Sequence, residues 1–313
     1  MNERYELPKT ERIKRHFPEN LGLLVQGLPD GNLIDLNKDF SVTENPELGY
    51  QRFVRSEGDK VGFELLISDE ATKLLNRLGK VEVKQKIKSE ITQITQDPFG
   101  PSSINFRGKK PGRANTSINA FNSELEDRLG IPVAIKIPGP GEEMREDLLR
   151  QFRFMKQCAK EWQNLPNDVK KVLRVGNVYA AFRYPAAGQE VHKESLIMER
   201  IPNTKTIKTK RGERGVKGFS ITDHPAIATI IEKYLKNYSS YKFLSDTKEE
   251  CYDWFALVEA LELLGLHLSD CNGNNFLYSE NKEGQKVYTI IDQNAEFIYL
   301  MKEHKKIKRD KKF

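Results

Sequence analysis

The stretch Leu264-Gly-Leu-His-Leu-Ser-Asp270-Cys-Asn-Gly-Asn-Asn275-Phe-Leu277 sets an aspartate and an asparagine five residues apart in a short polar loop. An apolar helical pattern precedes the loop, and Phe276-Leu277 after it suit the start of a strand. That spacing lets a carboxylate point toward an incoming hydroxyl while the asparagine turns back to a cation. A solvated Asn/Gly/Asp turn has the same composition, so the loop needs supporting residues elsewhere. Downstream, FLYSENKEGQKVYTIID reads as a hairpin that turns at Lys282-Glu283-Gly284 and ends in Ile290-Ile291-Asp292, 22 residues beyond Asp270. The hairpin is expected to return Asp292 beside Asn275, so that two oxygen ligands converge on Mg²⁺. Upstream, Val133-Ala134-Ile135-Lys136 puts a lysine at the end of an apolar strand, a costly place unless its ammonium meets an anion.

Around these pieces the chain has 313 residues, with 51 Lys+Arg against 45 Asp+Glu and a formal charge of +6. Charged residues make up 31% and hydrophobic ones 38%, the balance of a polar-surfaced globular protein. No window approaches the ~18 apolar residues of a membrane span, and MNERYELPKTERIKRHF at the start has no apolar core of a signal peptide. Neither an integral membrane protein nor a Sec-type leader is expected. Cys158, Cys251 and Cys271 are odd in number and without CxxC spacing, which argues against a disulfide framework or a zinc knuckle and fits a reducing compartment. The basic excess collects in Lys205, Lys208, Lys210, Arg211, Arg214 and Lys217 and again in the tail KEHKKIKRDKKF. Either cluster suits phosphates or an acidic partner, and a solvated loop and terminus are the plainer reading. Aromatics do not interleave with these charges, so nucleic acid is not the expected partner.

Residues 1 to about 60 are rich in Asn, Gly, Pro and Glu and carry short apolar runs without a period. They read as loosely structured or dependent on a partner. From Lys60, VGFELLI reads as a strand, and Ser68-Asp69 as the cap of a helix bearing Leu74, Leu75 and Leu78 that ends or bends at Gly79. A second helix is expected to carry Val83, Ile87, Ile91 and Ile94, the two forming a small accessory unit. SINFRG, NTSINAF and IPVAIKIP then suggest an antiparallel meander. EEMREDLLRQFRFMKQCAKEWQNL is a long helix with Leu148, Leu149, Phe152, Met155 and Ala159 on one face. Strand-like VLRVGNVYAAFRY and SLIMERI follow, then the helical HPAIATIIEKYLKNY and EECYDWFALVEALELLGLHL, the latter broken at Gly265. Strands, a helix, more strands, then helices and a hairpin is an α+β order, not alternating βα units.

The V-A-I-K strand, the Asp-x4-Asn loop and the strand-end aspartate occur in the order found in protein kinases. The chain resembles a protein-kinase fold reduced to its minimum. It is most similar to the short effector kinases that bacterial pathogens deliver into host cells, the NleH and OspG group. As in that group, Leu268-Ser269 stand where His-Arg would precede the loop aspartate, Gln293-Asn294 replace Phe-Gly, and only 21 residues follow Asp292. The segment ATKLLNRLGKVEVKQKIKSEI also resembles one upstream of the kinase domain in NleH-like proteins. The resemblance covers residues 104 to 300 or so, and implies a two-lobed fold with a truncated C-lobe. Its divisions are an accessory region at 1–100, an N-lobe at 101–200, a reduced C-lobe at 201–300 and a basic tail at 301–313.

The same resemblance implies ATP and Mg²⁺ as cofactors and a serine or threonine of a host protein as acceptor, after delivery into the host cytoplasm. Lys136 would orient the α- and β-phosphates, Asp270 would accept the hydroxyl proton, and Asn275 and Asp292 would hold metal. Met198-Glu199-Arg200 match the place where a kinase hinge offers backbone hydrogen bonds to adenine. The turn Gly108-Lys-Lys-Pro-Gly112-Arg113 lies where a phosphate-covering loop is expected, without GxGxxG, and a plain hairpin turn reads equally well. The partner of Lys136 is open among Glu146, which is preferred, Glu161, and Gln151 between them. Asn272 replaces the lysine typical of serine/threonine kinases and leaves the acceptor hydroxyl open. The missing docking helices imply constitutive activity or activation by a host partner, and the Lys205–Lys217 cluster is the candidate contact for an acidic protein face or an inositol polyphosphate. Two other readings remain: a small-molecule phosphotransferase of the aminoglycoside-kinase type, and a pseudokinase scaffold that binds a host protein. His267 reads as packing or capping, and nothing near Cys271 argues for a lowered pKa.

Overall fold

Seven consecutive residues, Gly62 to Ser68, are buried in one strand, a pattern that only a sheet covered on both faces produces. This strand sits inside an eight-stranded sheet of the computed structural model, which describes residues 17–18, 20–28, 31, 34–57, 60–78, 92–93, 117–121, 123–138, 148–185, 192–201, 204–206, 210–211, 217–218, 224–235, 250–268 and 275–293. Helix α1 (Leu21–Gln26) precedes the strands β1 (Ser41–Asn45), β2 (Tyr50–Glu57) and β3 (Lys60–Ser68), which pair antiparallel in succession. Helix α2 (Asp69–Arg77) and the short strand β4 (Thr92–Gln93) follow, then β5 (Ser117–Phe121), α3 (Ser123–Leu129) and β6 (Val133–Pro138). Helix α4 (Leu148–Gln163) and α5 (Asn167–Val172) lead to β7 (Leu173–Val175), β8 (Val178–Pro185) and β9 (His192–Glu199). The large sheet has the order β1-β2-β3-β8-β9-β6-β5-β4.

The remaining elements are β10 (Lys205–Thr206), β11 (Lys210–Arg211), β12 (Lys217–Gly218), α6 (Pro225–Tyr234), α7 (Glu250–Leu263), β13 (Phe276–Glu280) and β14 (Lys286–Ile290). A four-stranded sheet has the order β10-β13-β14-β7, parallel only between β14 and β7, and β11 pairs with β12. The chain is therefore α+β with a mostly antiparallel sheet. No helix among the described residues is long and apolar enough to cross a membrane. Two compact units divide it: one of Met1–Thr92, Thr116–Leu149 and Tyr179–Ile197, the other of Gln93–Asn115, Arg150–Val178 and Met198–Phe313.

The element boundaries follow local chemistry. Ser68 caps α2, its Oγ accepting from the Ala71 N–H at 3.1 Å, while Asp69 and Glu70 in the first turn and Arg77 in the last complement the helix dipole. Helix α7 stops where Gly265 takes φ 88°, with Gly265 N–H donating to Glu262 O and Leu266 N–H to Leu261 O. The β13–β14 turn uses Gly284 at φ 74° and the Asn281 carboxamide, whose Oδ1 accepts from the Glu283 and Gln285 N–H groups. The run VLRVGNVYAAFRY, expected as one strand, breaks at Gly176-Asn177 into β7 and β8, which join different sheets.

The N-terminal region departs from expectation. Residues 41–57 form two strands of the main sheet rather than loose chain, and Leu21, Leu24, Phe53, Phe63, Leu65 and Ile67 share one buried core with Val133, Ile135, Phe182 and Ile197. The division expected near residue 100 does not follow this sheet, because β3 pairs with β8 in register from Glu64↔Arg183 to Ile67↔Ala180. Asn45-Pro46-Glu47-Leu48-Gly49, which reads as loop composition, is the turn of a hairpin, with Gly49 at φ 64°. The second helix expected over Val83, Ile87, Ile91 and Ile94 lies outside the described residues except for Thr92-Gln93 beside it, which is strand.

A row of charges crosses the sheet over four adjacent strands, β2, β3, β8 and β9. Arg52 Nε donates to Glu64 Oε1 at 2.8 Å, Arg183 lies 3.8 Å from Glu64 Oε2, and Arg183 Nε donates to Glu194 Oε1 at 2.7 Å. The other Glu194 oxygen accepts the Leu148 N–H at 2.6 Å, which satisfies a first-turn donor of α4. Both glutamates are buried, so each needs its arginine to offset the lost hydration.

Two outcomes follow from this architecture. A chain shortened to start at residue 101 loses β1–β3 with Phe53, Phe63 and Leu65, and is expected to give a broad, non-cooperative urea transition and poorly dispersed NMR amides where the full chain unfolds cooperatively. Glu194→Gln removes the charge that Arg183 meets at 2.7 Å, leaving it the longer contact with Glu64, and weakens the α4 cap; it should cost about 2–3 kcal/mol in urea unfolding, whereas Arg52→Gln at the exposed end should cost less than about 1 kcal/mol.

Candidate functional site

The β13–β14 hairpin pairs Phe276↔Ile290 at its open end, and the Ile291 N–H donates to Asn275 O at 2.8 Å, one step beyond the strands. This closes the ladder so that Asn275 stands opposite Ile291, with Asp292 next in the chain. Phe276, Leu277 and Ile290 are fully buried and anchor the hairpin. Asn275 itself is buried, at 7% exposure. Asp292 takes φ 48°, in the left-handed region that costs a non-glycine residue about 1–2 kcal/mol. Its carboxylate is fixed from another element, since Gln151 Nε2 on α4 donates to Asp292 Oδ1 at 2.5 Å. Gln293, where the resemblance would have an aromatic residue, is also buried.

Two of the expected metal ligands are thus neighbours through the backbone. Their donors, a carboxylate and a carboxamide oxygen, are the hard oxygen ligands that suit Mg²⁺, which commonly shares such a pair with phosphate. No group of three or more His, Cys, Asp or Glu side chains among the described residues could hold a metal on its own. Asp270, Glu146, Gly108 and Gly112 lie outside the described residues.

In the other unit, Lys136 is on β6, opposite Asn119 of β5 and only 4% exposed. The strand that ends at the expected hinge, β9, is the neighbour of β6 in the sheet. Within the second unit, Met198 is buried and Glu199 is held fast. Its N–H donates to Asn177 O at 2.8 Å, and its carboxylate accepts from Arg174 at 2.9 Å and from the Asn177 backbone and side-chain amides at 3.1 Å each. Arg174 Nε also donates to Thr289 Oγ1 at 3.0 Å, so one guanidinium joins the end of β9 to β14. Glu199 therefore acts through its side chain as a brace, a role that the hinge reading does not include.

Of the candidates to pair with Lys136, Glu161 is engaged elsewhere. Its Oε2 accepts the His267 N–H at 2.8 Å and lies 3.3 Å from His267 Nδ1. His267 is accordingly exposed and bonded at the end of α7 rather than packed in a core. Cys158 on the same helix is no nucleophile: burial, and then the Glu161 carboxylate, push its thiol up to about 12.

The basic cluster is partly ordered into strands. Lys205 pairs opposite Tyr278, Lys210 opposite Gly218 and Arg211 opposite Lys217, while Lys208, Arg214 and the tail at 301–313 lie outside the described residues.

Sequence reasoning missed two buried polar arrangements. One is the Arg52–Glu64–Arg183–Glu194 row, whose signal was a glutamate inside each of the apolar runs VGFELLI and KESLIM. The other is His224, whose Nδ1 lies 2.9 Å from the Tyr288 hydroxyl, with burial, and then Tyr278, raising that phenol's pKa. Comparison of the chain with protein-family models, with curated proteins and with solved structures finds no match.

Proposed function

We propose that the chain is an ATP- and Mg²⁺-dependent protein kinase of minimal, two-lobed form, which transfers the γ-phosphoryl group to a serine or threonine of a host protein. The observation that carries this reading is the closure of the β13–β14 hairpin, which sets Asn275 opposite Ile291 and so beside Asp292. The closure sets two hard oxygen donors at neighbouring positions, as a cation shared with phosphate would need. Support comes also from β6: it is the third strand of the run β4, β5, β6, consecutive in chain and sheet, and a long helix follows it. That is the context in which a V-A-I-K lysine belongs.

On this reading each residue has a defined task. Lys136 binds the α- and β-phosphates and fixes their direction, and its burial strengthens the attraction by excluding water. Asp270 accepts the proton of the acceptor hydroxyl as that oxygen bonds to the γ-phosphorus and the bond to the β–γ bridging oxygen breaks. Asn275 and Asp292 hold Mg²⁺, which when bound offsets the phosphate charge. Because the Glu199 N–H is already donated to Asn177, adenine would take other backbone groups of the Met198–Ile201 stretch. Gly108 and Gly112 would let a turn approach the phosphates, with Glu146 left as the carboxylate for Lys136. Most of the acceleration then comes from positioning and charge neutralisation. Delivery by a bacterial secretion system into the host cytoplasm belongs to the same proposal.

Incubation of the full chain with γ-labelled ATP and Mg²⁺, with and without host lysate, tests it. Label is expected in the chain or in a lysate protein, and Asp270→Ala or Lys136→Ala should lower incorporation by about 10²–10⁴-fold. Nucleotide binding without any transfer would overturn the reading in favour of a scaffold, and label appearing only on an aminoglycoside would favour a small-molecule phosphotransferase. For the Lys205–Lys217 cluster, binding of an inositol polyphosphate or an acidic protein activator is expected to weaken steeply between 50 and 200 mM salt, since exposed charges are screened over about 10 Å at 0.1 M. An affinity indifferent to salt for every activator tried would remove that role.

A further inference from the structure

We propose that Gln151 is a positioning residue for Asp292, its side-chain amide holding the carboxylate in the direction from which it meets a divalent cation. The inference rests on the reading of Asp292 as a metal ligand and adds to it a residue that the kinase resemblance does not assign to the metal. Gln151 is 2% exposed on α4, and it reaches across 141 residues of sequence to donate to Asp292 Oδ1 at 2.5 Å. Asp292 is fixed on its other side as well, because Ile291 is bonded to Asn275 and the Asp292 backbone is left-handed at φ 48°. Backbone closure sets where the residue stands, and the Gln151 bond sets how its carboxylate is turned.

The type of side chain is informative. An arginine or lysine at this position would orient the carboxylate too, but its positive charge would lower the attraction for a cation. A glutamate could only accept, and would repel. A carboxamide donates one hydrogen bond without changing the charge, and a carboxylate has acceptor sites enough for such a donor and a metal together. Carboxylates that bind metals are commonly held by a hydrogen-bonding partner of this kind. The helix expected to give a carboxylate to Lys136 therefore gives a neutral amide to the metal aspartate, while its Glu161 is bonded to His267.

The test reads metal dependence rather than catalysis. A fluorescent ATP analogue is titrated onto the full chain at increasing Mg²⁺, comparing wild type, Asp292→Ala and Gln151→Met, a substitution that conserves volume. Wild type should bind more tightly as Mg²⁺ rises, and Asp292→Ala should lose that gain. Gln151→Met should need about 10–100-fold more Mg²⁺ for the same gain, with binding in EDTA unchanged. A Gln151→Met curve that overlays wild type overturns the proposal. Should the variant not fold, the side-chain amide signal of Gln151 in the ¹⁵N-glutamine-labelled wild-type chain decides, with Gln151→Asn for assignment: it is expected to shift when Mg²⁺ is added at constant nucleotide, and an unmoved signal overturns the proposal. If wild-type binding ignores Mg²⁺ altogether, the metal reading of Asp292 fails and the role of Gln151 falls with it, an outcome distinct from an altered wild type and an unaltered variant.

Discussion

Glu64 and Arg183 face each other across the pairing of β3 with β8, each already bonded to a nearer residue, Glu64 to Arg52 and Arg183 to Glu194, so their contact links two local ion pairs into one row. A buried carboxylate loses its hydration unless cations and donors replace it, and here the replacements come in series from Arg52, Arg183 and the amide of Leu148. Apolar residues of similar volume would pack the same sheet with less desolvation, so what the charged row supplies is register. A slip of β3 by one residue would turn Glu64 to the opposite face and leave Arg52 and Arg183 without the carboxylate they share.

The hairpin at the candidate site obeys the same logic on a smaller scale. Its buried residues Phe276, Leu277, Tyr288 and Ile290 hold it to its neighbours, and its last backbone bond reaches one residue past the regular ladder. The unfavourable φ of Asp292 occurs at this point, where the surrounding bonds leave the backbone little choice. Strain at a residue held from both sides is consistent with a requirement on its direction rather than on stability. The nearby Arg174 adds to this within the second unit, since it bonds both Glu199 and Thr289.

Much of this was legible before any coordinates. The cap at Ser68, the stop at Gly265, the turn around Gly284 and the buried face of α4 each rest on a local signal, a hydroxyl, a glycine or a period, that acts within one turn of chain. The α+β order came from the succession of such segments. What was not legible required partners distant in sequence. The hairpin of residues 41–57 carries turn residues and a half-exposed edge strand, and it becomes a sheet only because β3 has β8 to pair with. The two glutamates inside apolar runs were visible, but a lone letter does not say which cation will meet it, Arg52, which reaches Glu64 alone, or Arg183, which lies between both. Helical register sets Gln151 among the candidates for Lys136 and by itself does not point to Asp292, to which it donates a hydrogen bond.

The helix α4 joins these two levels of constraint. Its first amide is held by Glu194, and three residues on it presents Gln151 to Asp292. In a kinase regulated by an activation segment, the corresponding helix is moved into place by phosphorylation. Here the start of α4 is held through the Leu148 amide to Glu194 of β9. On the proposed reading, a carboxylate already turned by Gln151 needs no rearrangement of its own to meet a cation.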